Sequence, residues 1–377
     1  MKKEIIVIGD IEMGGGTLTE DFIADKQLSQ LILELSQRNH PIDLILNGDT
    51  FDFLKCPSEV KPKTIYPRHI TKDVSLAKLK LIYKAHKSVF QALHQLTSSK
   101  DKHVYFIVGN HDEDLAYDEV KTELKHLIGN KDQVHFPGIK YHDHDVYVEH
   151  GHQYDFIFMM NYDRLFLEYK GQTVINLPFV TFGLISVAMH MKEAHPFLER
   201  IYPRPAILTH HRVIAKKLNW STLGYFVKSI LYYPFRFYSD PTYTFPTNLF
   251  RELYKRLSTV HWDVDDITTI FKSKAKWDKY KIYVLGHIHE KRIEKGRNQV
   301  IIHPGSWRDE YDFESKTREL IPRIKRYVDI MIEDKGSHYT LVDIPQYRSI
   351  IDFDNMLKDE MKFHDLAEKE EEYPYSL

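Results

Sequence analysis

Five short apolar runs in this chain each end on a small polar motif. Only a fold that gathers strand ends in one place gives such a pattern a use. In order the motifs are Gly9-Asp10-Ile11-Glu12, Gly48-Asp49-Thr50-Phe51-Asp52, Gly109-Asn110-His111-Asp112, His150-Gly151-His152 and Gly286-His287-Ile288-His289. The runs before them, including Ile5–Ile8, Leu44–Leu46, Val104–Val108, Val146–Glu149 and Ile282–Leu285, read as strands. Helical spacing covers residues 21–38, 74–96 as one long helix, and 115–128, with Gly129 as a stop. Later strands are predicted at Val300–His303, Tyr327–Ile332 and Tyr339–Val342. Alternation of strand and helix, followed by a strand-rich end, predicts an α/β fold with its ligands at the strand ends.

With 377 residues the chain can bury a substantial core. A net charge of −2 excludes a global basic field, so nucleic acid is not an expected partner. The lone Cys56 allows no internal disulfide and fits a reducing, cytoplasmic setting. The start, residues 1–8, lacks the apolar length and cleavage site of a signal peptide and reads as a first strand. Residues 366–377 are acidic and polar and read as a solvated tail.

Between the fourth and fifth motifs lies a long insertion. The expected organisation is a core of residues 1–155 and 281–350, a helical cap over 156–280, and a charged segment over 351–377. Residues 171–191 contain no Asp, Glu, Lys or Arg and approach the length of a membrane span. Asn176 and Pro178 interrupt that stretch. If His150 and His287 serve one site, the chain must also return to the same side, which excludes a single crossing. A second apolar stretch, Leu223 to Phe235, is too short to span and contains Lys228. A helical cap is the favoured reading, with contact at the inner membrane surface as the next. Residues 156–245 carry about five more basic than acidic groups, which suits an anionic ligand.

Asp10, Glu12 and Asp49 offer carboxylates, Asn110 an amide oxygen, and His150, His287 and His289 imidazoles. That mixture suits Mn²⁺, Fe, Zn²⁺ or Ni²⁺ better than a Ca²⁺ cage. Gly14-Gly15-Gly16 lets the chain turn tightly after the first motif.

The five motifs resemble those of the calcineurin-like metallophosphoesterase superfamily: Asp-x-His, Gly-Asp-x-x-Asp, Gly-Asn-His-Asp/Glu, a lone His and Gly-His-x-His. The resemblance covers about residues 1–155 and 281–310. It implies a four-layer α/β/β/α sandwich with a helical cap insertion and a dinuclear centre. By motif, Asp10, Glu12, Asp49 and His289 would hold the first metal, and Asp49, Asn110, His150 and His287 the second. His111 would be the catalytic histidine, oriented by Asp112, with Asp52 an outer orienting group. Glu12 departs from the family, where a histidine is usual. It makes the centre one unit less positive and gives the first metal a harder ligand shell, favouring Mn²⁺ or Fe there.

The resemblance implies hydrolysis of a phosphoester or pyrophosphate. The aromatic and basic insertion suits an amphiphile with a phosphate head. In that respect it is similar to bacterial UDP-2,3-diacylglucosamine pyrophosphohydrolases, whose cap holds acyl chains; here the insertion is longer and no cap residue is matched individually. A soluble nucleotide phosphodiesterase or phosphatase would share the core and stack bases on the same aromatics. A catalytically weak phosphate-binding protein has only Glu12 in its favour, and the intact His111-Asp112 pair opposes it. Nothing in the sequence points to a protein partner.

Overall fold

A computed structural model describes residues 2–60, 64–129, 132–244, 267–274, 279–334 and 336–372. Its centre is two stacked sheets, and the apolar strands owe their composition to that stacking. Strand Lys3–Ile8 pairs in parallel with Ile42–Asn47, which pairs in parallel with Lys102–Ile107. Successive side chains of a strand point to opposite faces. Ile6, Ile8, Leu44, Leu46, Val104 and Phe106 therefore face helices, while Ile5, Val7, Ile45 and Ile107 face the second sheet. With both faces covered, a strand reads as an unbroken apolar run. Each such Ile or Val contributes about 1.5–3 kcal/mol on burial.

The first sheet has six strands and is completed by Val134–Gly138 and the antiparallel pair Arg326–Glu333 and Gly336–Asp343. In the second, Ile282–Leu285 lies in parallel between Val146–Glu149 and Val300–Pro304, with Lys140–Asp143 and Lys291–Lys295 at the edges. Val146, Val148, Ile282, Val284 and Ile302 fill the space between the sheets. Helices Asp25–Ser36, Lys72–Ala85, Lys87–Thr97 and Asp118–Ile128 cover the first sheet. Helix Ile267–Lys274 covers the second, through Phe271 against Tyr283, Leu285 and Ile301. The four-layer α/β/β/α sandwich is therefore present. A cap boundary at residue 280 assigns that helix to the insertion, whereas its packing assigns it to the core.

The continuous helix expected over 74–96 is broken at His86. The break turns the imidazole into the glycine turn, with Nδ1 2.9 Å from Asp25 and Nε2 2.6 Å from Glu20. Glu20 in turn accepts from the backbone N–H groups of Gly14 and Gly16. Burial alone would depress the imidazole, but Glu20 and Asp25 outweigh it and push it up to about 10. A pKa raised on folding gives stability that is complete below the unfolded value near 6.5 and is lost as pH climbs through 10. Urea titrations should show stability falling by up to about 5 kcal/mol between pH 6.5 and 10, at about 1.4 kcal/mol per pH unit. His86→Gln should flatten that decline, and an equal slope in the variant would refute the assignment.

The apolar stretch 171–191 is not a span. It forms strand Gln172–Ile175, then a helix over 179–194 with a π turn at Leu184–Ala188. Ile175, Leu177, Phe182 and Ile185 pack into the main core. Among the described residues no helix is long and apolar enough to cross a membrane. The cap's strand Ile201–Tyr202 pairs in parallel with Tyr311–Asp312, rooting the insertion on the segment that follows strand Val300–Pro304.

The reading of 366–377 as a solvated tail is corrected through residue 372. Helix Glu360–Glu372 docks, with Ala367 and Glu371 buried. Glu371 meets Lys325 and, at 2.8 Å, Arg348. Residues 373–377 lie outside the described residues.

Candidate metal centre

All five motifs converge where the two sheets' carboxyl ends meet. Backbone bonds lock the loops together: Asp10 N–H to Gly48 O, Glu12 N–H to Asp49 O, and Gly286 N–H to His150 O. Asp10, Glu12, Asp49, His287 and His289 all have positive φ, between 46° and 73°. For non-glycine residues this left-handed region costs on the order of 1–3 kcal/mol each. The surrounding bonds hold these backbones there and aim the side chains at one another.

The glycines are required by close approach. A Cβ on Gly109 would stand 2.1 Å from Asp49 Oδ1, and one on Gly48, whose φ is +75°, 2.5 Å from the His150 ring.

His150 is fully buried. Its Nδ1 donates to Asn47 O at 3.0 Å, because a carbonyl can only accept. That leaves Nε2 facing Asp49 Oδ2 at 3.2 Å and Asn110 Oδ1 at 3.3 Å. A histidine pinned through one nitrogen, with the other turned towards oxygen donors, is the arrangement a metal ligand needs. His289 repeats it: Nδ1 meets Glu310 at 2.9 Å, while Nε2 faces Asp10 at 3.4 Å and Glu12 at 3.5 Å. Ligand atoms of Asp49, His150 and His287 lie within 4.8 Å of one another, as do those of Glu12, Asp49 and His111.

Charge agrees with this geometry. Burial opposes protonation of His150, yet Asp49 and Asp10 push it up to about 9; Glu310 and Asp10 do the same for His289. Surplus negative charge around Asp10 and Asp49 is what a divalent cation relieves. The donor set around Asp49, Asn110, His150 and His287 therefore fits a divalent metal.

The pair expected to be catalytic is arranged differently. His111 Nδ1 meets Asp52 Oδ1 at 2.8 Å, and its backbone N–H donates to Asp49 Oδ1 at 2.8 Å. Asp112 does not orient His111. Its carboxylate accepts from the backbone N–H groups of Thr50, Phe51 and Gly109, and so ties the second motif to the third. Burial and Asp49 together push Asp112 up to about 7, against the pull of those bonds. His111 itself is pushed up to about 10, Glu12, Asp49 and Asp52 outweighing burial.

Several residues of the site escaped the sequence reading. Lys55 Nζ lies 2.7 Å from Glu12 Oε2, and Arg308 Nη1 3.1 Å from Glu12 Oε1. Burial would raise the Glu12 carboxyl, but Arg308 and Lys55 hold it well below the usual range. Asp155 Oδ2 sits 3.3 Å from His287 Nε2. His152, the second histidine of the fourth motif, is turned to the Tyr162 hydroxyl at 2.7 Å. Cys56 is a buried bystander whose thiol burial pushes up.

The calcineurin-like phosphoesterase family model matches residues 3–211. The chain belongs to that family. A calcineurin-like phosphoesterase is a metal-dependent hydrolase of phosphoester bonds, and the buried O/N donor cluster is in keeping with it. Among solved structures the chain is similar to a predicted phosphoesterase from Streptococcus pneumoniae at 10% identity, covering 91% of this chain and 90% of that one, with TM-score 0.28. It is also similar to an archaeal phosphodiesterase at 11%, covering 90% and 99%, TM-score 0.31. A third is GAP50, the anchor in the inner membrane complex of Plasmodium, at 12%, covering 93% and 88%, TM-score 0.34. No curated protein matches the chain.

Proposed function

We propose that this phosphoesterase acts on an amphiphile, holding a phosphate or pyrophosphate head at the metal centre and an apolar body along the cap. The observation that carries this reading is a cap cavity of about 830 Å³ lined by Phe182, Ile185, Tyr225, Tyr233, Lys217 and Lys228. Apolar walls with a few cations suit such a ligand better than a free polar one. Helix Arg212–Arg236 also leaves Trp220 65%, Leu231 66% and Phe235 79% exposed, between Lys216, Lys217, Lys228 and Arg236. An apolar face interleaved with basic groups supports contact with an anionic lipid surface.

A bound divalent cation supplies Lewis acidity towards a phosphoryl oxygen and a more acidic water. The chain's own residues do the rest. His111, held by Asp52, is placed to protonate the departing oxygen. Arg204, from the cap, donates to the Tyr202 hydroxyl at 2.8 Å, and that hydroxyl lies 3.5 Å from His289. Its guanidinium has no ion pair among the described residues, which leaves it available to a phosphate oxygen.

The test uses metal-reloaded protein on a phospholipid in mixed micelles and on the matching deacylated phosphodiester. The acylated substrate should show kcat/KM at least about tenfold higher, and Arg204→Ala should raise KM about tenfold. Equal turnover of the deacylated compound would sink the amphiphile reading. Preference for a nucleotide diester would favour base stacking in the cap instead.

A further inference from the structure

The family's usual pair of metal sites is not matched evenly by this chain. In one half, Asp49, Asn110, His150 and His287 face one another and Asp155, with no lysine or arginine paired to those four among the described residues. In the other, both carboxylate oxygens of Glu12 are already engaged by buried cations. Lys55 is 3% exposed and also reaches Asp52 at 3.1 Å, Asp21 at 3.4 Å and Glu199 at 3.5 Å. Arg308, equally buried, also reaches Asp21, and Glu310 at 3.3 Å. Neither cation has solvent to withdraw into, and each is held by acids on several segments.

We propose that the centre takes a single divalent ion, at Asp49, Asn110, His150 and His287 with Asp10 beside them, and that Lys55 and Arg308 stand in for the charge of a second. The place where the family carries histidine holds Glu12, and the two cations complement that acid directly. Glu12 then faces the two fixed cations, which it shares with Asp21, Asp52, Glu199 and Glu310, and the single ion is left to offset Asp10 and Asp49. A second divalent ion bound through Glu12 would have to sit against Lys55 and Arg308, like charge on like charge. The depressed carboxyl of Glu12 agrees with closure by these partners.

This inference rests on the metal-dependent reading above, and metal counting separates the two. Full-length protein stripped with EDTA and reloaded with excess Mn²⁺ should retain about one ion per chain after desalting. Its electron paramagnetic resonance should be the six-line spectrum of an isolated Mn²⁺. Retention of two ions with a spin-coupled spectrum would overturn the single-ion assignment and leave the metal-dependent reading standing. Retention of none would overturn both.

Lys55→Met risks misfolding because it strands several buried acids, so the deciding variant is Glu12→Gln, which keeps the side chain's shape. It should still hold one ion. A wild type holding two ions and a Glu12→Gln protein holding one would identify Glu12 as a ligand and refute the proposal.

Discussion

Alanine at His111 is expected to cut turnover of an unactivated phosphodiester by about 10²–10⁴-fold, the range for loss of a positioned proton donor. Metal content should be unchanged. The ring is anchored through Nδ1 to Asp52, and the backbone N–H that holds Asp49 survives the substitution. The loss should shrink on a p-nitrophenyl ester, whose leaving oxygen needs no proton. Asp52→Asn should reproduce part of the defect, since it keeps an acceptor for the ring but removes the charge that holds its proton. Asp112→Asn should instead loosen the loops, because that carboxylate gathers three backbone N–H groups. Near-full activity of His111→Ala on the unactivated ester, with metal bound, would remove His111 from the chemistry.

Leucine at Arg200 is expected to cost about 3–5 kcal/mol, the penalty for stranding buried charge. Arg200 is fully buried and joins three parts of the chain. Nε donates to Asp21 at 2.9 Å, Nη1 to Asp309 at 2.7 Å and Nη2 to the Glu20 carbonyl at 2.6 Å. Lys192 adds a second link from the cap to Asp21, at 2.6 Å. The variant should melt well below wild type, and hydrogen exchange should quicken over residues 189–210 together with the glycine turn. Arg200→Lys should fall between them, keeping the charge but not the planar fork. A melting point unchanged by Arg200→Leu would show that the pairs contribute no net stability.

Much of the core could be read from the sequence because both faces of its central strands are covered. Val146–Glu149 and Ile282–Leu285 are found at their expected bounds, since burial on both sides leaves only an apolar run. An exposed edge strand can lack that mark, although the edge strand Gly336–Asp343 was legible in part, as Tyr339–Val342. Lys291–Lys295 is largely exposed and reads as loop. The break at His86 was illegible for another reason: helical periodicity continues across it, and its cause lies some sixty residues away at Asp25 and Glu20.

The site divides in the same way. Side chains at strand ends were found by position, whereas the groups acting on them come from distant segments. Lys55 left one trace, a lysine among Phe53, Leu54 and Cys56. Arg308 left a better one. It follows strand Val300–Pro304 in Gly305-Ser306-Trp307-Arg308-Asp309-Glu310, a sixth strand-end motif open to the rule that found the other five.

The left-handed backbones of Asp10, Glu12, Asp49, His287 and His289 have an evolutionary corollary. Glycine sits comfortably in that conformation and asparagine nearly so, whereas aspartate and histidine tolerate it at some cost and glutamate fits it worst. A lineage freed from the need for turnover should drift towards glycine and asparagine at the five positions. It would grow hardier as it fell silent, so durable, inert descendants are the expected fate of duplicated copies.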